Sequence, residues 1–273
     1  MSGGDVARER NTREVDSLRG DFVARGEFYG DGARCQSFIS THAGGGGNLR
    51  FGHLIDNSNW LYGRAGSLLT ENVITCSNYT STFNGGPCVL YNGTTRYFSS
   101  PDAAWQEPTN NSFLVGGWVW ASVLATTRWV VSKINPTGNQ RSWGLGWSQT
   151  TGSFIFRCND LGTAVGDVEV ASSYIEQTGK WYMLFGLFVP GVLMRIYVAS
   201  PSDNDLTIDS LVAGVPASLF NGTSFFAIGT RSGPAELWSG FIGMLLGRCA
   251  VLTAQVDDHV RRLWNETRQL YLA

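Results

Sequence analysis

The sequence predicts an all-β fold: an antiparallel two-sheet jelly-roll sandwich with an N-terminal arm and a C-terminal helix. Three observations predict it. Short aromatic and β-branched runs recur from about Cys88 to Leu252, each bounded by Gly, Pro, Asn, Asp or Ser. Their regular spacing means a sandwich or barrel, because alternating β and α units would insert helical patterns between the runs. After Leu252 the apolar period changes from two to 3.6, which marks a single terminal helix.

The elements follow in chain order. Residues 1–43 are polar and weakly periodic, and a short helix over Asp5 to Arg19 would have only Val6, Val15 and Leu18 on its apolar face. Such an arm is too thin to fold alone, so it is expected to be disordered or docked on a protein partner. Gly44 to Gly47 read either as a hinge or as tight turns at the mouth of the sandwich. This divides the chain into an arm with its Gly-rich hinge, 1–47, and a β-sandwich with its helix, 48–273. Leu49 to Asn84 supplies one or two strands ahead of the main series. In the terminal helix Thr253 is the expected N-cap, with Asp257 and Asp258 early and Arg261, Arg262 and Arg268 late, an order that complements the helix dipole. Val256, Val260, Leu263, Trp264, Thr267, Leu270 and Tyr271 share one face, expected to pack on the sandwich edge or to bind a neighbouring subunit.

Composition narrows the partners. The 273 residues include 34 glycines, only 15% are charged, and the formal net charge is −2. Neutralising many phosphates needs a concentrated basic patch, and the sequence shows none, so nucleic acid is not expected. The charged N-terminal stretch lacks the apolar core of a secretory signal. The longest apolar run, Met183 to Met194, is broken by Gly186, Pro190 and Gly191 and falls short of a membrane span of about 20 residues. Asn78, Asn92, Asn110, Asn221 and Asn265 open Asn-x-Ser/Thr triplets and are read as turn residues. Cys35, Cys76, Cys88, Cys158 and Cys249 lack metal-ligand spacing and are read as buried thiols, with a Cys76–Cys88 bridge as the alternative.

A resemblance then adds to this reading. The order YNGTTRYFSSP from Tyr91, GGWVW from Gly116, VVSK from Val130, WGLGW from Trp143 and GSFIF from Gly152 resembles laminin-G-like domains of the concanavalin A-like lectin/glucanase superfamily. GKWY from Gly179, RIYV from Arg195, FAIG from Phe226 and WSGFIG from Trp238 continue it, so that it covers about residues 86 to 255. The resemblance implies two antiparallel sheets and says little of activity, since the fold carries lectins, hydrolases, adhesion modules and virion proteins.

Chemistry must come from residues. Glucanases of that superfamily place acids in a Glu-x-Asp-x-x-Glu pattern, and retaining chemistry needs a carboxylate pair about 5 Å apart. The nearest approach is Asp167 and Glu169, on one strand face, read as solvent-facing. His42, His53 and His259 adjoin no nucleophile elbow and have no zinc spacing, so no catalytic residue is assigned. Asp203, Asp205 and Asp209 concentrate oxygen ligands in one loop, which suits calcium and equally suits an ordinary turn. Among the ten tryptophans, Trp118 and Trp120 share a face, as do Trp143 and Trp147. Trp118, Trp129 and Trp181 are expected in the core, while Trp60, Trp105 and Trp147, in polar or loop-rich contexts, are the candidates to bind a ligand. The function expected is a non-catalytic structural or adhesive surface component of a larger assembly, such as a decoration or tail-associated protein of a phage virion. It would attach to protein partners through residues 1–43 and form a homo-oligomer. The alternative is a freestanding lectin with a glycan partner, and a glycoside hydrolase stands behind both.

Overall fold

The alternation of inward and outward side chains sorts the strands into two layers. The computed structural model describes residues 49–53, 70–71, 88–102, 106, 108–231, 235–249 and 253–272. The expected arm, the glycine run, Trp60, Cys76 and Trp105 lie outside the described residues. The strands are β1 (Leu49–His53), β2 (Thr70–Glu71), β3 (Val89–Asn92), β4 (Phe98–Ser100), β5 (Phe113–Ala121), β6 (Arg128–Asn135) and β7 (Gln140–Ser148). They continue with β8 (Ser153–Gly162), β9 (Asp167–Ala171), β10 (Trp181–Val189), β11 (Leu193–Ala199), β12 (Thr207–Leu211), β13 (Phe226–Ile228) and β14 (Ser239–Cys249), and one helix follows, α1 (Thr253–Thr267). The first sheet runs β1-β14-β5-β10-β11-β12, with β3 also on β14, and the second runs β2-β4-β13-β6-β7-β8-β9. Neighbouring strands within each sheet are antiparallel, as the expected sandwich requires.

The core between the sheets comes from one residue parity on each strand. Leu184, Phe188, Ile196 and Val198 of the first sheet meet Trp143, Leu145, Phe154 and Phe156 of the second. Gly186 lets the sheets approach, since a Cβ there would overlap the Phe156 ring. Gly144 does the same on the outside of the second sheet, where the Trp129 ring lies against it. Lys133 is fully buried; its Nζ donates to Asp102 Oδ1 at 2.6 Å and to the Ser224 carbonyl at 2.6 Å, tying the segment after β4 to the one before β13.

The helix corrects one expectation. It does not pack on the sandwich edge but across the outer face of the first sheet. All of β5 except Trp120, and all of β10 except Val189, are buried, so these strands carry apolar residues on both faces and need a cover on each. Val256, Val260, Leu263 and Trp264 supply it, against Leu114, Trp118, Met183, Phe185 and Tyr197. Polar pins fix the register. Trp118 Nε1 donates to Thr267 Oγ1 at 2.8 Å, Trp264 Nε1 to the Ser200 carbonyl at 3.1 Å, and Tyr197 Oη to Asp257 Oδ1 at 2.7 Å. Trp118, Trp129 and Trp181 are buried as expected, yet all three sit in clusters on the outer faces rather than between the sheets. No described helix is long and apolar enough to cross a membrane.

Candidate functional site

Beyond the end of the helix the outer face carries a further group of aromatic side chains. Phe241 of β14, Trp120 of β5 and Trp181 of β10 stand opposite one another on adjacent strands, an aromatic row across the outer face. Phe241 meets Trp120 edge-on at 5.5 Å. After Thr267 a single 3-10 turn, Arg268–Leu270, swings the chain so that Tyr271 stacks on Trp118 at 4.6 Å and lies 4.7 Å from Trp181. Trp120 is left half-buried at the rim of an open hollow of about 220 Å³. Its lining includes Trp120, the nearly buried Trp181 and Tyr271, Lys180, Ser200 and Ser202. Gly179 has φ +78, a left-handed conformation that glycine adopts without strain, and its N–H donates to the Ala121 carbonyl at 2.8 Å, fastening the rim to the end of β5.

The rim segment, residues 172–180, is held from several sides. Asp209 accepts from the Ser173 N–H at 2.8 Å and its hydroxyl at 3.1 Å. Asp203 Oδ2 accepts from Tyr174 Oη at 2.8 Å and from the Ser200 N–H at 2.6 Å. Glu176 Oε1 accepts the Phe154 N–H at 3.0 Å. Burial, reinforced by the charge of Asp209, pushes the Glu176 carboxyl up to about 7. The Tyr174 hydroxyl rises to about 12 because it is buried and bonded to Asp203.

These partners bear on the calcium expectation. The structure does not bring Asp203, Asp205 and Asp209 together: two of them hold the rim, while Asp205 accepts from Arg261 Nε of α1 at 2.9 Å. Among the described residues, no three His, Cys, Asp or Glu side chains gather in a way that could hold a metal ion.

Asp167 and Glu169 do share one face, that of the second sheet turned away from the core. They face outward as expected, partly exposed and paired. Arg141 Nη1 pairs with Asp167 at 2.6 Å, Arg157 Nη2 with Glu169 at 2.7 Å, and Asn159 Nδ2 donates to Asp167 at 2.7 Å. The Arg157 guanidinium also lies 5.3 Å from the Trp129 ring centre. These ion pairs tie β9 to β7 and β8 across the outer face of the sheet.

Of the tryptophans proposed to bind a ligand, only Trp147 falls within the described residues, and it is 6% exposed, packed edge-on against Phe154 at 5.7 Å. The reason is parity: WGLGW sends residues 143, 145 and 147 to the same inner face. Trp120 was overlooked. The available signal was its place at the end of β5, where a strand runs out from under its cover. Cys88 and Cys158 are both buried, and burial pushes the Cys158 thiol well above its ordinary value. Asn92 serves a turn as expected: its Oδ1 accepts the N–H groups of Thr94, Thr95 and Arg96 at 3.1, 2.9 and 2.9 Å.

No protein-family model matches the chain, and no curated protein sequence does. Solved structures do match. The binding domain of Paraclostridial Mosquitocidal Protein 1 superposes with a TM-score of 0.56 at 12% identity, over 80% of this chain and 52% of that one. A botulinum neurotoxin type C structure, of a toxin whose cell entry depends on interaction with two ganglioside molecules, gives 0.56 at 12% identity over 80% and 51%. The binding domain of botulinum neurotoxin DC, solved with rat synaptotagmin II, gives 0.55 at 13% identity over 80% and 51%. This chain therefore spans about half of each neighbour. At such identities the likeness is one of fold: the chain is an antiparallel β-sandwich similar to part of these binding domains.

Proposed function

We propose that this chain is a non-catalytic binding module that recognises a saccharide in the hollow beside Trp120. The observation that carries the reading is the composition of that hollow: aromatic rings together with two hydroxyls and an ammonium, all placed by strands and short anchored segments. The face of a sugar ring carries C–H groups that pack on aromatic carbon, while its equatorial hydroxyls reach polar groups at the side. The toxin binding domains that share the fold, one from a toxin that depends on gangliosides, support a surface-recognition role. The resemblance to laminin-G-like domains points the same way. The finer form of the proposal is an adhesive component of a larger assembly, a phage virion, with residues 1–43 as the attachment.

A glycan array read with the full chain and with Trp120→Ala tests the binding role. Binding that disappears in the variant, while circular dichroism shows an intact sandwich, is the expected result. A blank array for the wild type refutes it. Deleting residues 2–43 tests the attachment: the truncated protein should keep its sandwich and lose incorporation into the parent particle.

A further inference from the structure

The hollow's charge specifies its ligand further. Most cations described on the outer faces have a carboxylate of their own. Arg141 pairs with Asp167, Arg157 with Glu169, Arg195 with Asp257, Arg231 with Glu236, Arg261 with Asp205 and Arg262 with Glu266. Lys180 differs. It is exposed, it lines the hollow, and it makes no ion pair or hydrogen bond among the described residues. Just outside the lining, Arg268 donates to the Asp203 carbonyl at 2.9 Å and lies 4.5 Å from the Trp264 ring centre, with no carboxylate partner. Asp203, whose Oδ2 accepts from Tyr174 and the Ser200 N–H, keeps its own negative charge beside Arg268, and neither of the two lines the hollow. The lining of the hollow thus combines aromatic side chains with one cation, Lys180, that has no carboxylate partner among the described residues.

We infer that the hollow takes an acidic saccharide, a sugar whose ring carries a carboxylate, with the ring against Trp120 and the carboxylate on the Lys180 ammonium. Ser202, exposed on the opposite part of the lining, is the nearby hydroxyl donor. One lysine is a compact point charge that matches a monoanion; a phosphate or sulfate cluster would call for a guanidinium fork or several amides. The inference rests on the saccharide reading above and adds to it the charge of the ligand.

The test uses the full chain on an array of hexuronate oligosaccharides, each printed beside the same oligosaccharide with its carboxylates reduced to primary alcohols. The wild type should prefer the acidic member by about fivefold to tenfold, a margin that shrinks as salt is raised. In Lys180→Met the acidic-to-reduced ratio should fall to about one, and in Lys180→Arg the preference should return. Equal binding of both members by the wild type, or a preference that survives Lys180→Met, overturns the inference while leaving the saccharide reading in place. Silence on both members sinks the saccharide reading and this inference with it.

Discussion

The two outer faces of the sandwich are closed by opposite means. The first sheet presents Trp118, Met183, Phe185 and Tyr197 outward and hides them under α1. Among the described residues no helix lies over the second. It closes its outer face with a ladder, Arg141 and Arg157 against Asp167 and Glu169, and with Trp129 held by Glu236 Oε2 at 2.6 Å and overlain by Arg157. The difference teaches where recognition can arise. A ladder uses its charges on itself, and Asp167 and Glu169, the nearest approach to a glucanase acid pattern, are engaged in it. The apolar cover of the first sheet uses no such ladder, and at its end the half-buried Trp120 lines a hollow with Lys180, which has no ion pair among the described residues.

The contrast can be broken at several points, and the deepest is the helix. Trp264→Ala removes a fully buried ring from the cover and should destabilise the fold by about 3 to 5 kcal/mol in urea unfolding. Asp167→Ala, on the ladder, leaves two partly buried guanidinium groups short of a partner and should cost about 1 to 2 kcal/mol. If the two variants cost the same, the contrast between an apolar cover and a polar ladder fails. Asp167→Asn combined with Glu169→Gln should leave saccharide binding unchanged, which the same array checks.

Glu176, in the segment that leads to Gly179 and Lys180, sharpens the contrast. Its carboxyl sits at about 7 in the folded chain against an ordinary 4.5, so the folded state favours the protonated form. The stabilisation this gives is fully present below pH 4.5 and is lost as pH rises through 7. With allowance for solvent screening of a partly exposed group, the loss should be about 1 kcal/mol. Melting curves across that window should show the slope in the wild type and its absence in Glu176→Gln, whose amide oxygen can still accept the Phe154 N–H. The smallest effect belongs to the exposed pair Arg261–Asp205, where Arg261→Ala should change stability by no more than about 0.5 kcal/mol.

The period-two runs made the strands legible, and the helical period made α1 and its buried face legible, down to Val256, Val260, Leu263 and Trp264. What the runs could not tell was which face of β5 or β10 looks inward, because both faces are apolar; Trp118 and Trp181 are buried as expected, but in the cluster under α1 rather than between the sheets. Trp147 was misread because the polar Ser148 and Gln149 beside it outweighed its parity with Trp143 and Leu145. Asp203, Asp205 and Asp209 are close in sequence and suggested a shared ion. Their partners, Tyr174, Arg261 and Ser173, come from distant segments that no local pattern announces. The hollow was illegible for the same reason: Trp120, Lys180, Ser200 and Tyr271 meet only in three dimensions.

The aromatic row carries a consequence for how the protein comes into being. Its members sit at positions 120, 181 and 241, and Tyr271 joins them from beyond α1. A strand made early must wait for one made in the middle and for one made near the end before the lining of the hollow exists. Pairings so distant in sequence form slowly and late. On the binding role proposed above, adhesion is withheld from the nascent chain and from any product cut short before β14, and only a copy that has completed its fold would hold on to a target.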